Sequence, residues 1–321
     1  MLCSGNEKIY MKKFWKGKRV LVAGGAGFIG SHTVDAFIDA GARVSVVDDL
    51  STGRRENINP RVRFYQMATA SPKLDSVFRR EKPHFVFMLA AVSSPPVSVA
   101  DPLRDIAGLT GLVNLLECSR LHKVKKLLYS SSGFIYGNTK RLPTPESEPF
   151  QPLAPYNISK FASEQYLKFY REHYGLASVV LRYSTVYGPR QLSRVIADYI
   201  TKISQGKRAE IYGTKTRDYI YISDVVRANL RAMEVNMYRG DPIFNIGSGR
   251  ETNMADMYRM IAKMLGWPQN RPIRKPSKPG EVDRYWLDAR RARSVLGFRA
   301  RVKLEEGLQK TIAWFQEKRR I

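Results

Sequence analysis

Cysteine is scarce in this chain: two residues, Cys3 and Cys118, in 321. Two thiols cannot build a disulfide framework, which points to a reducing compartment, the cytoplasm. Histidine is almost as rare, with His32, His84, His122 and His173 scattered along the sequence. No Cys/His spacing of zinc type occurs, so no metal is expected. No apolar run approaches the roughly 18 residues of a membrane span, and the basic start "MLCSGNEKIYMKKFWKGKR" lacks the apolar segment of a signal peptide. Heptads, internal repeats and low-complexity tracts are missing too. Acid is short against base, 29 Asp and Glu against 54 Lys and Arg, a net charge of +25. That balance favours an anionic partner: nucleic acid, an anionic membrane or an anionic small substrate. No block of basic residues stands out, since "KKFWKGKR" and "FQEKRR" are short and terminal. The charge therefore reads as spread over solvated faces, and neither nucleic acid nor a membrane is expected as a partner.

What is present is a chain long enough for a large core, 43% hydrophobic, in one large α/β unit or two domains. Short apolar runs such as "RVLVA", "ARVSVV", "PHFVFMLA", "KKLLYSSS" and "ASVVLRYS" suit buried parallel strands. Helical spacing over 73–81, 102–121 and 156–173 alternates with them. Strand and helix in alternation predict a doubly wound parallel Rossmann sheet. After Tyr183 the pattern becomes irregular, with short strands, helices near 193–205, 223–235, 253–265 and 304–318, and a Pro-rich stretch, 267–280, read as loop. The expectation is an N-terminal extension over 1–16, a Rossmann domain over 17–183 with segments of about 219–246 returning to it, and a smaller mixed α/β domain from 184–218 and 247–318.

Gly24, Gly27 and Gly30 form GxxGxxG between a predicted strand and a predicted helix. Gly24 permits a tight turn, Gly27 lets a pyrophosphate approach the backbone, and Gly30 allows close helix–strand packing. Asp48 ends the next strand, where a carboxylate accepts from a ribose 2′-hydroxyl and repels a 2′-phosphate. That favours NAD over NADP, although Arg54 and Arg55 follow closely. A glycine turn without a nucleotide is the competing reading.

Tyr156 lies four residues before Lys160, and positions four apart share a helix face. Ser132 ends the run "KKLLYSSS" at the mouth of a parallel strand, where such sheets bind ligands. A phenol is a poor base at neutral pH unless a cation favours its ionised form. With Lys160 beside it, Tyr156 becomes a candidate base for a sugar hydroxyl, with Ser132 holding the same oxygen. Ordinary strand-end serines and a chance YxxxK are the plain alternative. The glycine turn upstream, in the right order, weighs against it.

These residues, with "GGAGFIGSH", "VVDDLSTG", "FMLAA", "SSSGFIYG", "YNISK", "RYSTVYGPRQ", "RDYIYISDVVRA", "NIGSG" and "LEEGLQKTIAWF", resemble the extended short-chain dehydrogenase/reductases. Within these, they are most similar to the NAD-dependent epimerase/dehydratase group typified by UDP-glucose 4-epimerase. The likeness runs from about Lys18 to Phe315. It implies NAD contacts from Gly24, Gly27, Phe28, Ile29, Asp48, Asp49, Ser51, Thr52, Gly53, Leu89, Ala90, Ala91, Ser130, Tyr156, Lys160 and Tyr183. It implies that Ser132, Tyr156 and Lys160 are catalytic. It places a nucleotide diphosphate-sugar among Ser94, Ser132, Tyr183, Thr185, Arg194, Tyr212, Arg217 and Lys278, with Arg217 at the diphosphate and Tyr212 near the base. The implied reaction is 4-epimerisation: transient oxidation at C4 to a 4-keto sugar, then hydride return to the opposite face. A homodimer built from the helices 102–121 and 156–173 is also implied.

Departures from the family pattern keep other readings open. Gly133 and Phe134 stand where dehydratases carry Asp-Glu and decarboxylases carry Glu, which disfavours those reactions. Met88, Gly108 and Thr185 replace a His and two Asn that are common in the family. The loop after Gln191 is short, and Lys278 and Glu281 replace parts of "RPGD". The alternatives are another nucleotide-sugar enzyme, an oxidoreductase or decarboxylase, and a non-catalytic NAD-binding protein with a basic nucleic-acid surface.

Overall fold

The computed structural model describes residues 13–90, 95–235, 241–276 and 282–318. Strands β1 (Arg19–Ala23), β2 (Arg43–Asp48), β3 (Arg63–Gln66), β4 (Phe85–Met88), β5 (Lys126–Ser132) and β6 (Ser178–Tyr183) come first. Between them lie helices α1 (Phe28–Asp39), α2 (Leu74–Glu81), α3 (Pro95–Ala100), α4 (Leu103–Leu121) and α5 (Pro155–Tyr174). Then follow β7 (Thr185–Tyr187), α6 (Val195–Ser204), β8 (Glu210–Tyr212), β9 (Thr216–Arg217), β10 (Tyr219–Tyr221), α7 (Ile222–Glu234) and β11 (Ile243–Ile246). The chain closes with β12 (Thr252–Asn253), α8 (Met254–Met264), β13 (Ile273–Lys275), α9 (Arg290–Leu296) and α10 (Leu304–Glu317).

Seven strands form one parallel sheet in the order β11-β6-β5-β4-β1-β2-β3. Chain order reverses between β1 and β4, which opens a crevice at their carboxyl ends. The fully buried faces of β4, β5 and β6 explain why these strands read as continuous apolar runs. Strand β11 joins through the register Ile243↔Val180 to Ile246↔Tyr183. Three two-stranded sheets, β10-β7, β12-β9 and β13-β8, hold the C-terminal half. Strand β13 lies inside the Pro-rich stretch read as loop; it pairs in parallel with β8, so three residues free of proline suffice for an edge pairing.

The end of the supposed N-terminal extension belongs to the core. Trp15 is fully buried and donates from Nε1 to Glu234 at 3.0 Å. It packs edge-on against Phe37 at 4.6 Å and Phe85 at 5.2 Å. A lone Trp among lysines gave no periodic signal. At the amino end of β5, buried Lys126 donates to the carbonyls of Ala232 and Val235. These lie at the end of α7, where the helix dipole favours a cation.

Candidate active site

The glycine turn follows β1. Gly24 has φ +81°, and a Cβ there would lie 2.4 Å from the backbone nitrogen of Ala90. The turn therefore fits glycine alone and sits against the end of β4. A Cβ on Gly30 would meet the Gly24 carbonyl at 1.9 Å. Its packing partner is thus the turn itself, not the strand named from sequence. Gly27 is the extended residue before α1 and makes no side-chain cap. The first N–H groups of α1 consequently face the crevice, an arrangement that suits a phosphate. Phe28 and Ile29 pack partly buried against the core.

Asp48 ends β2 inside this turn. Its Oδ2 accepts from Ala26 N at 2.9 Å and its Oδ1 from Leu50 N at 2.9 Å. Burial pushes its carboxyl up, and these N–H donors pull it back. Asp49 accepts from the backbone N and Oγ of Ser51. Thr52 is exposed beside them. Gly53 must lack a side chain because a Cβ would lie 2.6 Å from Asp48 Oδ1. Leu89 and Ala90 close the far wall, with Leu89 N donating to Ala23 O at 2.9 Å. This cradle fits a dinucleotide: bare backbone at a helix start, with a carboxylate one strand away.

The serines of β5 form the next wall. Ser130 Oγ donates to Met88 O at 3.1 Å, and Ser131 Oγ to Glu164 at 2.5 Å. Ser132 accepts from Phe134 N at 3.2 Å, and its hydroxyl favours the ionised form of the Tyr156 phenol. Helix α5 begins with Pro155 behind an extended Ala154, which has no capping side chain. The cap comes from another segment: Ser98 Oγ accepts from Tyr156 N at 3.0 Å. Lys160 lies one turn further, buried, with Nζ donating to Ser130 O at 2.6 Å and 5.8 Å from the Tyr156 ring centre.

Burial raises the Tyr156 phenol above its ordinary value; the Arg194 cation and the Ser132 hydroxyl pull it back, and Asp105 adds to the rise. The cation acting on the phenol here is therefore Arg194. Lys160 turns its head to Ser130 instead. Arg194 precedes α6 at φ +83°, a conformation costly for a side-chain-bearing residue. Burial brings the Lys160 ammonium down to about 8, while Glu164 and Asp105 push it back up.

A cavity of about 490 Å³ opens beside this group, a size that suits a small-molecule ligand. Thr185, Arg194, Tyr212 and Arg217 all line it. Arg217 holds the carbonyls of Thr216 and Asp283 and lies 5.8 Å from the Phe134 ring centre. Tyr212 donates to Glu210. Tyr183 is placed differently: its hydroxyl donates into the core to Asn229 at 2.6 Å, and it approaches the site only beside Ser132 in the sheet. Ala91, Ser94, Lys278 and Glu281 lie outside the described residues.

The cavity also holds residues not expected from sequence: Asn157, Tyr199 and Tyr219. Asn157 Oδ1, both tyrosine hydroxyls and Thr185 Oγ1 are buried without a hydrogen-bond partner. Asn157 adjoins Tyr156 in "PYNISK" and Tyr219 lies in "RDYIYISDVVRA"; Tyr199 carried no motif. Phe134 lines the same wall and stacks on Tyr285 at 4.8 Å. A side chain at Gly133 would collide with the Tyr285 hydroxyl at 2.1 Å.

Fold and site together define a nucleotide-dependent α/β enzyme with its polar chemistry at the sheet's carboxyl edge. The chain belongs to the NAD-dependent epimerase/dehydratase family, whose model matches residues 20–247. NAD is accordingly its cofactor. It is 37% identical over 313 residues to the UDP-glucose 4-epimerase of Mycolicibacterium smegmatis, spanning 94% of this chain and 99% of that one. The crystal structure of the Thermotoga maritima UDP-glucose 4-epimerase with UDP-glucose is 41% identical, with TM-score 0.89 over 93% of this chain and 99% of that one. The Thermus thermophilus UDP-glucose 4-epimerase in complex with NAD is 35% identical, with TM-score 0.86 and the same coverage. The chain is thus an NAD-dependent enzyme of a family that includes nucleotide-sugar epimerases and dehydratases.

Proposed function

We propose that the protein is a nucleotide-sugar 4-epimerase of the UDP-glucose/UDP-galactose type. The observation that carries this reading is the large cavity lined by Phe134, Asn157 and Arg194, next to Ser132 and Tyr156, with Gly133 and Phe134 offering no acid there. Tyr156 takes the proton of the sugar 4-hydroxyl, and Ser132 holds the same oxygen. Arg194 stabilises the phenolate charge. Gly24, Gly27, Asp48 and Lys160 hold the cofactor; NAD, when bound, supplies reversible hydride acceptance at C4. The cavity gives the 4-keto sugar room to turn before reduction on its other face. Arg217 meets the diphosphate, where a guanidinium fork matches phosphate oxygens.

The relatives that carry this activity by name and the acid-free wall at Phe134 support the reading over dehydration. The test is turnover of the purified protein with NAD across UDP-, dTDP- and GDP-sugars, with products identified by NMR. A C4-inverted sugar without net NADH is expected. Release of carbon dioxide or net NADH would instead assign the chain to the decarboxylases or oxidoreductases.

We further propose a homodimer through α4 and α5. These helices pack on each other and expose Leu103, Ile106, Leu121, Ile158, Tyr166, Phe169 and Tyr174.

A further inference from the structure

Behind Lys160, on the side away from the large cavity, helix α4 presents Asp105. It is 4% exposed, and its Oδ2 has no hydrogen-bond partner. Ser98, the residue that caps α5 at Tyr156, gives its hydroxyl proton to Pro95 O at 2.8 Å. Between Asp105 and Lys160 lies a void of about 20 Å³, bounded by Gly108, Tyr129, Tyr156 and Ser163. A Cβ built on Gly108 meets nothing within 4 Å, so the missing side chain leaves this space open. One water needs about 10–15 Å³ and two or more polar partners, and the void offers both.

The charges around Lys160 show why this matters. Lys160 is buried, and Ser130 O accepts one of its three N–H bonds. The Tyr129 ring covers another side, with its centre 4.7 Å from Nζ. On its own helix, Glu164 is already committed: Arg182 grips both its oxygens at 3.0 and 2.6 Å, and Ser131 donates to it as well. Among the described residues Asp105 is the remaining anion facing Lys160, and no cation among them forms an ion pair with it. Asp101 is the charged neighbour of Asp105. Tyr156 faces Arg194, Ser132 and Asp105.

We propose that Asp105, acting through one water held in the void beside Gly108, is the counter-ion that keeps Lys160 charged. Asp105 is a positioning residue, and the proposal rests on the roles given above to Tyr156 and Lys160. Removing its charge makes both the ammonium and the phenol titrate at lower pH, since an anion favours the protonated form of each. The acid limb of activity follows the phenol, and the alkaline limb follows the ammonium. The whole pH profile therefore moves acid without changing shape, whereas a mere packing defect lowers it in place.

The experiment pairs two readouts on the full chain: NMR titration of Lys160 in isotope-labelled protein, and kcat against pH. In Asp105→Asn, the Lys160 titration and the optimum are expected to fall by about one pH unit, with about a tenfold loss on the alkaline limb. Asp105→Glu keeps the charge and should restore the wild-type position. Gly108→Ala fills the void in a helix that tolerates alanine. It should give a smaller acid displacement with Tm maintained, and it carries the test if Asp105→Asn does not fold. A Lys160 titration unmoved in both variants overturns the proposal. A wild-type protein inactive on every sugar nucleotide, with the Lys160 shift still present, removes the functional reading and leaves the charge pairing in place.

Discussion

A phenol with a pKa near 10 is a poor base at neutral pH, and burial raises that of Tyr156 further. Arg194 and Ser132 are what the chain supplies against this. The phenol oxygen then carries the proton transfer, and the ring contributes only packing. Tyr156→Phe should therefore lower kcat by about 10²–10⁴-fold while leaving NAD affinity, read by calorimetry, little changed. Near-normal turnover in that variant would remove Tyr156 as the base. Ser132, Tyr156 and Lys160 were legible because local rules place them: a strand mouth and a four-residue helical step. Arg194 was legible as a ligand contact but not as the cation facing Tyr156. Nothing in sequence spacing says that Lys160 turns to a carbonyl while a residue from a distant loop faces the phenol. Asn157, Tyr199 and Tyr219 escaped because an unpaired buried polar atom is defined by neighbours from other elements.

At the scale of elements, α5 is the piece that aligns the chemistry, and one buried ion pair fixes it to the sheet. Glu164 on α5 and Arg182 on β6 meet at 2.6 Å with side chains 1% and 7% exposed. Arg182 also donates to the Tyr136 hydroxyl, which donates to Asn245 on β11. The chain of bonds thus runs from the catalytic helix to the edge strand of the sheet. Cutting it on one side leaves a buried charge alone. Arg182→Met should cost about 3–5 kcal/mol in urea unfolding, and the added change Glu164→Leu should recover much of that loss. Equal losses in the single and double variants would show that packing, not charge, holds the helix. The elements themselves were readable: alternating apolar runs and helical spacing gave the parallel sheet, and α2, α4, α5 and α10 lie within a residue or two of the expected ranges. Helices α3 and α9 went unread, being 6 and 7 residues long, too short to show a period. The pairing of Glu164 with Arg182 was not readable either, since it depends on how α5 lies across β5 and β6.

For the whole molecule, the sheet brings the glycine turn, Asp48 and Ser132 to its carboxyl edge and leaves α4 and α5 with apolar side chains exposed. Leu103 is 76% exposed, Ile106 57%, Ile158 55% and Phe169 43%, far more apolar surface than these two helices need for the core. A second copy fits that surface better than a charged partner does, because its large side chains are aliphatic and aromatic. Each copy nevertheless carries +25, so two copies repel at long range. Salt screens that repulsion, with a Debye length of about 8 Å at physiological ionic strength, while apolar contact is left in place. Sedimentation should therefore show a dimer that tightens as salt rises, the reverse of an interface held by ion pairs. Replacing Ile106 and Phe169 by Glu should give a monomer with the cavity residues untouched. A wild-type chain that stays monomeric at high salt would leave the α4–α5 face to a different partner. A dimer that weakens with salt would place the contact on a charged face elsewhere.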